Sequence, residues 1–482
     1  MRSAMHLRPL LLFLICFQLL FFQDLLAVHS HKNAVASKNS REQLRKRTRE
    51  AKQSRFSRSG KKASRKTRFP RTIIVKKGVK RSKFLKGRSR KEATMKIPVV
   101  PPVFPDSLRQ AFIKSGENRI IGANGIAELK KRLDSGGRVR IVHLGDSHIQ
   151  ADMMTRLVRH GLQTLYGDAG RGLVFPYQLA ATNPPRDIIS TSSCAWRSAR
   201  LVKLSPEMES GLSGFVIRAD GLNPEIMLWL KPGHDGAETF RQVRLFASSG
   251  GCVSVSAVRG DSEPRCLDSD ELSGGKTIEL PAETDRLFIT AKTEQNSEFT
   301  LYGVSLEKGD VPGIIYDAIG VNGADYESYR RSETFWSQIG GLQADCYVVS
   351  LGTNDAQDQQ LNAELFDRRV RAVVQRLREV SPKAVIVLAT PPPSYYRKVR
   401  FNAMLDTVSG IIRQVSIDEG VGCWDLYHAA MGANGGELLF SYGFFRPDMV
   451  HFNRPGYELQ GEMLLEAFER QLATEKERFV NP

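Results

Sequence analysis

The sequence has few of the residues that build metal centres. Its 482 residues include six cysteines and nine histidines. No C-x-x-C pair and no His/Cys cluster has the spacing of zinc ligands, so a structural zinc is not expected.

The sequence also lacks an apolar run long enough to span a membrane comfortably. The run from Pro9 to Phe22 follows two arginines and falls short of the ~20 residues of a membrane helix. With Val28-His29-Ser30 as a tolerable cleavage site, residues 1–30 are predicted to be a signal peptide, and the protein to be exported to the periplasm or cell envelope. An uncleaved membrane anchor is the alternative, because apolar character resumes at Leu25.

Acidic residues are scarce in one segment only. The net charge is +18, but about 26 Lys and Arg and about 3 acidic residues lie between 31 and 96. This segment has few large apolar groups, so residues 31–96 are predicted to form a disordered basic tail or linker. Clustered cations attract anionic polymers. Together with a leader, they indicate an envelope polymer or a membrane surface rather than nucleic acid; a mere spacer is an equal alternative.

The cysteines outside the leader suggest two roles. Cys252 and Cys266 are close in a β-rich region and could close a loop in an oxidising compartment. Cys346 and Cys423 lie in apolar strand-like runs and are predicted to be small core residues.

Apolar strands alternate with amphipathic helices in two parts of the chain, 97–176 and 312–482. Strands are predicted at GRVRIVHL, GIIYDAI, CYVVSL, AVIVLA and VGCWDL, and helices at IQADMMTRLVRHGLQTLYG, ELFDRRVRAVVQRLREV, 401–418 and RPGYELQGEMLLEAFERQL. This order is typical of an α/β protein with a parallel sheet covered on both faces. Between 177 and 311, short β-rich segments separated by turn residues predict an inserted β-sandwich.

Polar residues lie next to three of these elements, in positions suited to ester hydrolysis. Ser147 follows the first strand, Asn354 follows CYVVSL, and Asp448 and His451 precede the last helix. A nucleophilic serine needs a base and a carboxylate that orients it, and an Asp three residues before a His can serve that base. Asn354 and the backbone N–H of Gly323 could donate to an oxyanion. Taken singly, Ser147 and Asn354 could equally be helix caps, and Gly323 a turn.

The blocks GDSH, VNGAD, GTND and DMVH, in this order, resemble the SGNH (GDSL-type) hydrolases. The resemblance implies a flavodoxin-like doubly wound sheet. It also implies Ser147 as nucleophile, His451 as base, Asp448 as its orienter, and Ser147, Gly323 and Asn354 as oxyanion donors. No cofactor or metal is expected. Asp146 and Asp355 are predicted to be structural, whereas His148 could bind substrate or complete the turn.

A narrower resemblance links LQTLYGDAGRGLVFP and LYGVSLEKGDVPGIIYDAIGVNGADY to the peptidoglycan O-acetylesterases. In that branch the insert is similar to a carbohydrate-binding module. The resemblance implies an exported esterase that deacetylates an O-acetylated polysaccharide, with peptidoglycan as the expected substrate. An esterase or acetyltransferase acting on another polysaccharide, and a polyanion-binding envelope protein, are the alternatives. GDAGRG follows a helix and lacks the G-x-G-x-x-G order, so a nucleotide site is not predicted.

Overall fold

The structure is a computed structural model that describes residues 102–473, apart from 204, 220–222, 233–237, 261–268 and 294–297. The predicted signal peptide, the basic tail and Cys266 lie outside the described residues. Within the described ranges, no helix has the length and apolarity needed to cross a bilayer.

The strands and helices predicted in 97–176 and 312–482 are present, with one predicted helix divided in two, and several short elements that were not predicted lie among them. The strands are β1 Ile120–Ile121, β2 Arg138–Gly145, β3 Asp168–Val174, β4 Ile188–Ser192, β5 Trp196–Arg200, β6 Phe215–Ala219, β7 Glu225–Leu230, β8 Phe240–Ser249, β9 Gly251–Ser256, β10 Lys276–Thr284, β11 Arg286–Thr293, β12 Phe299–Glu307, β13 Gly313–Gly320, β14 Cys346–Ser350, β15 Val385–Ala389, β16 Tyr395–Tyr396, β17 Arg400–Phe401 and β18 Gly422–Trp424. The helices are α1 Asp106–Ile113, α2 Ile126–Asp134, α3 Ser147–Gln150, α4 Met153–Tyr166, α5 Ser269–Ser273, α6 Tyr326–Arg330, α7 Glu333–Ile339, α8 Ala363–Val380, α9 Met404–Asp418, α10 Leu426–Ala429, α11 Gly432–Ser441 and α12 Arg454–Leu472. Single 3₁₀ turns lie at Gly340–Leu342 and Asp355–Gln357.

Five strands of the central sheet run parallel in the order β13-β2-β14-β15-β18. Numbered along the chain, this order is 2-1-3-4-5, the flavodoxin-like arrangement, so the predicted fold class is confirmed. The chain order reverses beside β2, and ligands of such sheets bind beyond the carboxyl ends of the strands at that point. β2, β13 and β14 end there side by side.

Helices cover both faces of this sheet. Residues of α1, α2, α4 and α12 share one buried apolar cluster with Ile141 and Val348, while residues of α8 and α9 share another with Val142 and Val349. Because neighbouring strand residues point to opposite faces, β2, β13, β14 and β15 contribute to both clusters. Cys346 and Cys423 are free and buried, as predicted.

The β-rich region contains two sheets that share one apolar core. One sheet has the order β4-β7-β11-β9; the other contains β5, β6, β8, β10 and β12. This second sheet is continuous with the parallel sheet, because β12 pairs with β3 and β3 pairs with β13. β3 was not predicted as a strand; it begins within GDAGRG, at Asp168, and ends at Val174. Cys252 is disulfide-bonded.

A buried ion network joins α4, β3 and the start of the β-rich region. Asp152 accepts from Arg159 at 3.1 Å and from Arg171 at 2.7 Å, and Arg171 also donates to Asp187 at 2.7 Å. Glu238 lies 3.3 Å from Arg159. These charges are desolvated but mutually paired, so removing one partner would leave its neighbours buried and uncompensated.

Candidate active site

Ser147 begins α3, directly after β2. The carboxylate of Asp146 accepts from the His148 N–H at 2.9 Å and caps this four-residue helix. The helix packs closely on the end of β13, where a Cβ added to Gly320 would lie 2.1 Å from the backbone nitrogen of Gln150. The sequence predicted one helix from Ile149 to Gly167. The structure instead has two, because Asp152 adopts a left-handed conformation (φ 52°) between α3 and α4.

The structure brings Ser147, His451 and Asp448 into a hydrogen-bonded chain. The Oγ of Ser147 lies 2.7 Å from the Nε2 of His451, and the Nδ1 of that ring lies 3.2 Å from the Asp448 carboxylate. With Asp448 accepting from Nδ1–H, Nε2 is left to accept the proton of the serine hydroxyl. The arrangement is that of a nucleophile, a base and its orienting carboxylate.

The Asp448–His451 turn fixes the carboxylate as well as the imidazole. Asp448 also accepts from the N–H groups of Val450 and His451, at 2.9 and 2.8 Å. Burial opposes ionisation, but the hydrogen bonds from the His451 ring and from these N–H groups hold the pKa of Asp448 well below its usual range. Asp448 is thus held as a carboxylate against the ring.

The three candidate oxyanion donors lie just after the neighbouring strand ends of β2, β13 and β14. In the described part of the chain, neither the Ser147 N–H nor the Gly323 N–H donates to another group. Gly323 has φ +84°, and a Cβ there would meet nothing within 4 Å, so its backbone faces open space. The Asn354 amide donates to the Ala324 carbonyl at 2.7 Å and to Asp146 at 3.3 Å. An oxyanion would take one of these two hydrogens, and the longer bond to Asp146 is the weaker one.

The other polar residues of these blocks are buried supports. His148 is 4% exposed, and its Nδ1 lies 3.1 Å from the Tyr457 hydroxyl. Burial, together with nearby His451, lowers the pKa of His148 to about 3, so the ring is neutral. The ring packs against Phe452 and Tyr457. Burial raises the pKa of Asp146 to about 6. Burial, with Asp325 nearby, raises the pKa of Asp355 to about 7.

Gln150 is a site residue that the sequence did not reveal. Its Oε1 accepts from the Asn322 N–H at 2.7 Å, and its Nε2 donates to Thr182 Oγ1 and to the Asn183 carbonyl, each at 3.0 Å. One side chain therefore joins the nucleophile helix, the Gly323 turn and the loop after β3. The available signal was its position one helical turn after Ser147, which places both residues on the same helix face.

Comparison with known proteins gives one family match. Residues 299–459 match the GDSL-like Lipase/Acylhydrolase family. The matched segment contains Gly323, Asn354, Asp448 and His451, and Ser147 precedes it. No curated protein matches the chain in sequence.

Among solved structures, a peptidoglycan O-acetylesterase has the same fold. Its TM-score is 0.60 at 22% identity, over 73% of this chain and 96% of that one. A lipase/acylhydrolase from Enterococcus faecalis matches 33% of this chain and 77% of its own, at 22% identity and TM-score 0.26. An acetylxylan esterase from Geobacillus stearothermophilus matches 34% and 74%, at 17% identity and TM-score 0.26.

Proposed function

We propose that this chain, a carboxylic ester hydrolase with the SGNH fold, is an exported serine esterase that removes O-acetyl groups from peptidoglycan. The observation that carries the catalytic part is the 2.7 Å contact between Ser147 Oγ and His451 Nε2, beside two unoccupied backbone donors. The substrate is proposed from the fold shared with a peptidoglycan O-acetylesterase along most of both chains. Export is proposed from the leader-like residues 1–30.

In the proposed mechanism, His451 accepts the hydroxyl proton as Ser147 Oγ attacks the acetyl carbonyl. The negative charge that forms on the carbonyl oxygen is stabilised by the N–H groups of Ser147 and Gly323 and by the Asn354 amide, each worth a few kcal/mol (~3). The bond between the acyl carbon and the sugar oxygen then breaks, and the His451 imidazolium gives its proton to that oxygen, which leaves as the sugar hydroxyl. The acetyl group remains on Ser147.

Water completes the cycle. His451 deprotonates a water molecule that attacks the acetyl-enzyme, and collapse of the second tetrahedral intermediate releases acetate and restores the serine hydroxyl. Asp448 holds the ring orientation and stabilises the imidazolium in both halves. A sugar hydroxyl in place of water would make the same acyl-enzyme a transferase, so the acceptor is part of the test.

The test is acetate release by the full chain and by Ser147→Ala, from O-acetylated peptidoglycan and from acetylated xylan. We expect release from peptidoglycan by the wild type and its loss, by at least about 10³-fold, in the variant. Acetate release from xylan alone would contradict the proposal that peptidoglycan is the substrate. Full activity of Ser147→Ala would contradict the assignment of Ser147 as the nucleophile. Transfer of acetyl to an added acceptor oligosaccharide, in preference to water, would make the protein a transferase.

A further inference from the structure

A cavity of about 490 Å³ opens where the loop after β3 meets β5 and β6. Its walls include Thr182, Ser198, Arg200, Lys203 and Phe215. The mechanism above uses none of these residues. The cavity therefore lies outside the hydrolytic machinery, and the chemistry of its lining residues indicates what kind of ligand it could bind.

The cavity wall is tied directly to the catalytic elements. Thr182 accepts from Gln150 at 3.0 Å, and Gln150 is only three residues from Ser147 in α3, a rise of about 4.5 Å along the helix. The same Gln150 accepts from Asn322, beside the Gly323 donor. Gln150 therefore connects the cavity wall with the helix that carries Ser147 and with the Gly323 turn.

The charge of the cavity is positive and unbalanced. None of its described wall residues is acidic. In the described part of the chain, neither Arg200 nor Lys203 forms an ion pair, whereas nearby Arg197 pairs with Glu207 and Glu298. Arg200 is half-buried and Lys203 exposed, so both cationic groups can reach a ligand.

The backbone holds these two cations side by side. Arg200 and Lys203 form an antiparallel bridge across a tight turn, with the Lys203 N–H donating to the Arg200 carbonyl at 2.9 Å. Side chains of directly opposed residues project from the same face, where like charges repel. An anion between the two would relieve that repulsion and receive charge-assisted hydrogen bonds from both.

We propose that the Arg200/Lys203 cavity binds a carboxylate of the polymer that Ser147 deacetylates, which makes the preferred substrate an anionic glycan. This inference rests on the proposed esterase function and narrows its substrate class. Peptidoglycan strands carry carboxylates on their peptides, or on the lactyl groups where the peptide is missing, whereas acetylated xylan without uronic acid branches carries none. The cavity would thereby favour the former by charge.

The test compares Arg200→Gln, Lys203→Gln and their combination with the wild type, on soluble O-acetylated peptidoglycan fragments and on 4-nitrophenyl acetate. We expect kcat/KM for the fragments to fall about tenfold for each single change, mainly through KM, because one charge-assisted contact is lost. Turnover of the uncharged aryl acetate should be unchanged, which also shows that the variants fold. Arg200→Lys keeps the positive charge, so its kcat/KM for the fragments should lie between those of Arg200→Gln and the wild type.

Two controls sharpen the comparison. Lys383→Gln removes an equal charge from an exposed position just before β15, at the amino end of the parallel strands, and should leave turnover of both substrates unchanged. For the wild type, KM should be higher for fragments whose carboxylates are converted to methylamides than for unmodified fragments. For the double variant, KM should be the same for both kinds of fragment.

The outcomes separate the two proposals. If the wild type releases acetate from the fragments and the cavity variants match it, the cavity proposal is wrong and the esterase function stands. If the wild type cleaves only the aryl acetate, the peptidoglycan function fails, and the cavity proposal fails with it.

Discussion

At the scale of single residues, three of the four functional blocks were predictable because each follows a strand of the same parallel sheet. Ser147, Gly323 and Asn354 follow β2, β13 and β14, and parallel strands end at one edge. Gln150 was not predictable, since its partners Asn322 and Thr182 are brought to it only by tertiary structure. The inward orientation of His148 likewise depends on Tyr457, far along the chain.

Asp355 is expected to make stability depend on pH. It is 5% exposed, and its Oδ2 is buried with no hydrogen-bond partner in the described part of the chain. Burial raises its pKa to about 7, against about 3.9 for an unfolded aspartate. The folded chain therefore holds this proton more tightly, and the contribution of Asp355 to the free energy of unfolding is lost as the pH rises from about 4 to above 7.

The change that checks this is Asp355→Asn, which keeps the shape and stays neutral. We expect the free energy of unfolding of Asp355→Asn, minus that of the wild type, to increase by up to about 4 kcal/mol between pH 4 and pH 8. Urea unfolding at each pH measures this difference. Asp310→Asn, at an exposed position, is the control and should follow the wild type. A constant difference between Asp355→Asn and the wild type at all pH values would contradict the expectation.

At the scale of elements, periodicity predicted the long helices and the buried strands well but not their interruptions. The apolar spacing around Ser147 continues across Asp152, whereas the structure breaks the helix there because the Asp152 carboxylate binds Arg159 and Arg171. β3 escaped prediction because its two central glycines read as a loop. Both glycines have positive φ and allow close approach to neighbouring strands.

The seat of α3 on β13 gives a prediction for this element. Gly320→Ala would place a Cβ 2.1 Å from Gln150 N, so α3 must shift and carry Ser147 with it. We expect a loss of about 1–3 kcal/mol in the free energy of unfolding and at least about tenfold in aryl acetate turnover. Unchanged turnover would show that α3 tolerates displacement.

Gly410→Ala in α9 is the matched control. A Cβ at Gly410 meets nothing within 4 Å. Replacing a glycine inside an exposed helix face should stabilise the protein by up to about 1 kcal/mol and leave turnover unchanged. The contrast separates a steric effect at α3 from a general effect of glycine replacement.

At the scale of the whole molecule, the resemblance to the SGNH hydrolases predicted the flavodoxin-like strand order. The sequence pattern predicted which part of the chain is rich in β-strands. The predicted domain boundaries at 176/177 and 311/312 remain predictions. Sequence pattern could not show that strands of the two regions pair, because the β3–β12 ladder joins segments more than a hundred residues apart.

We propose that the basic segment 31–96 binds anionic envelope polymers or membrane surfaces. Deleting it should abolish salt-sensitive association with isolated envelopes while acetate release stays within about twofold of the full chain, since attraction by clustered cations is screened by salt. Cosedimentation at low and high salt, with activity assayed on the same samples, measures both. Equal cosedimentation of the two proteins would leave the segment as a spacer.

The pairing of β12 with β3 also limits how chains of this kind can be recombined. Excising the β-rich region would leave β3 as a bare edge, with unpaired N–H and C=O groups open to aggregation. A β-rich region moved into another hydrolase would need β3 and its neighbour β13 to be moved as well. The unit that can be exchanged between proteins is therefore the continuous sheet and not the β-rich region alone.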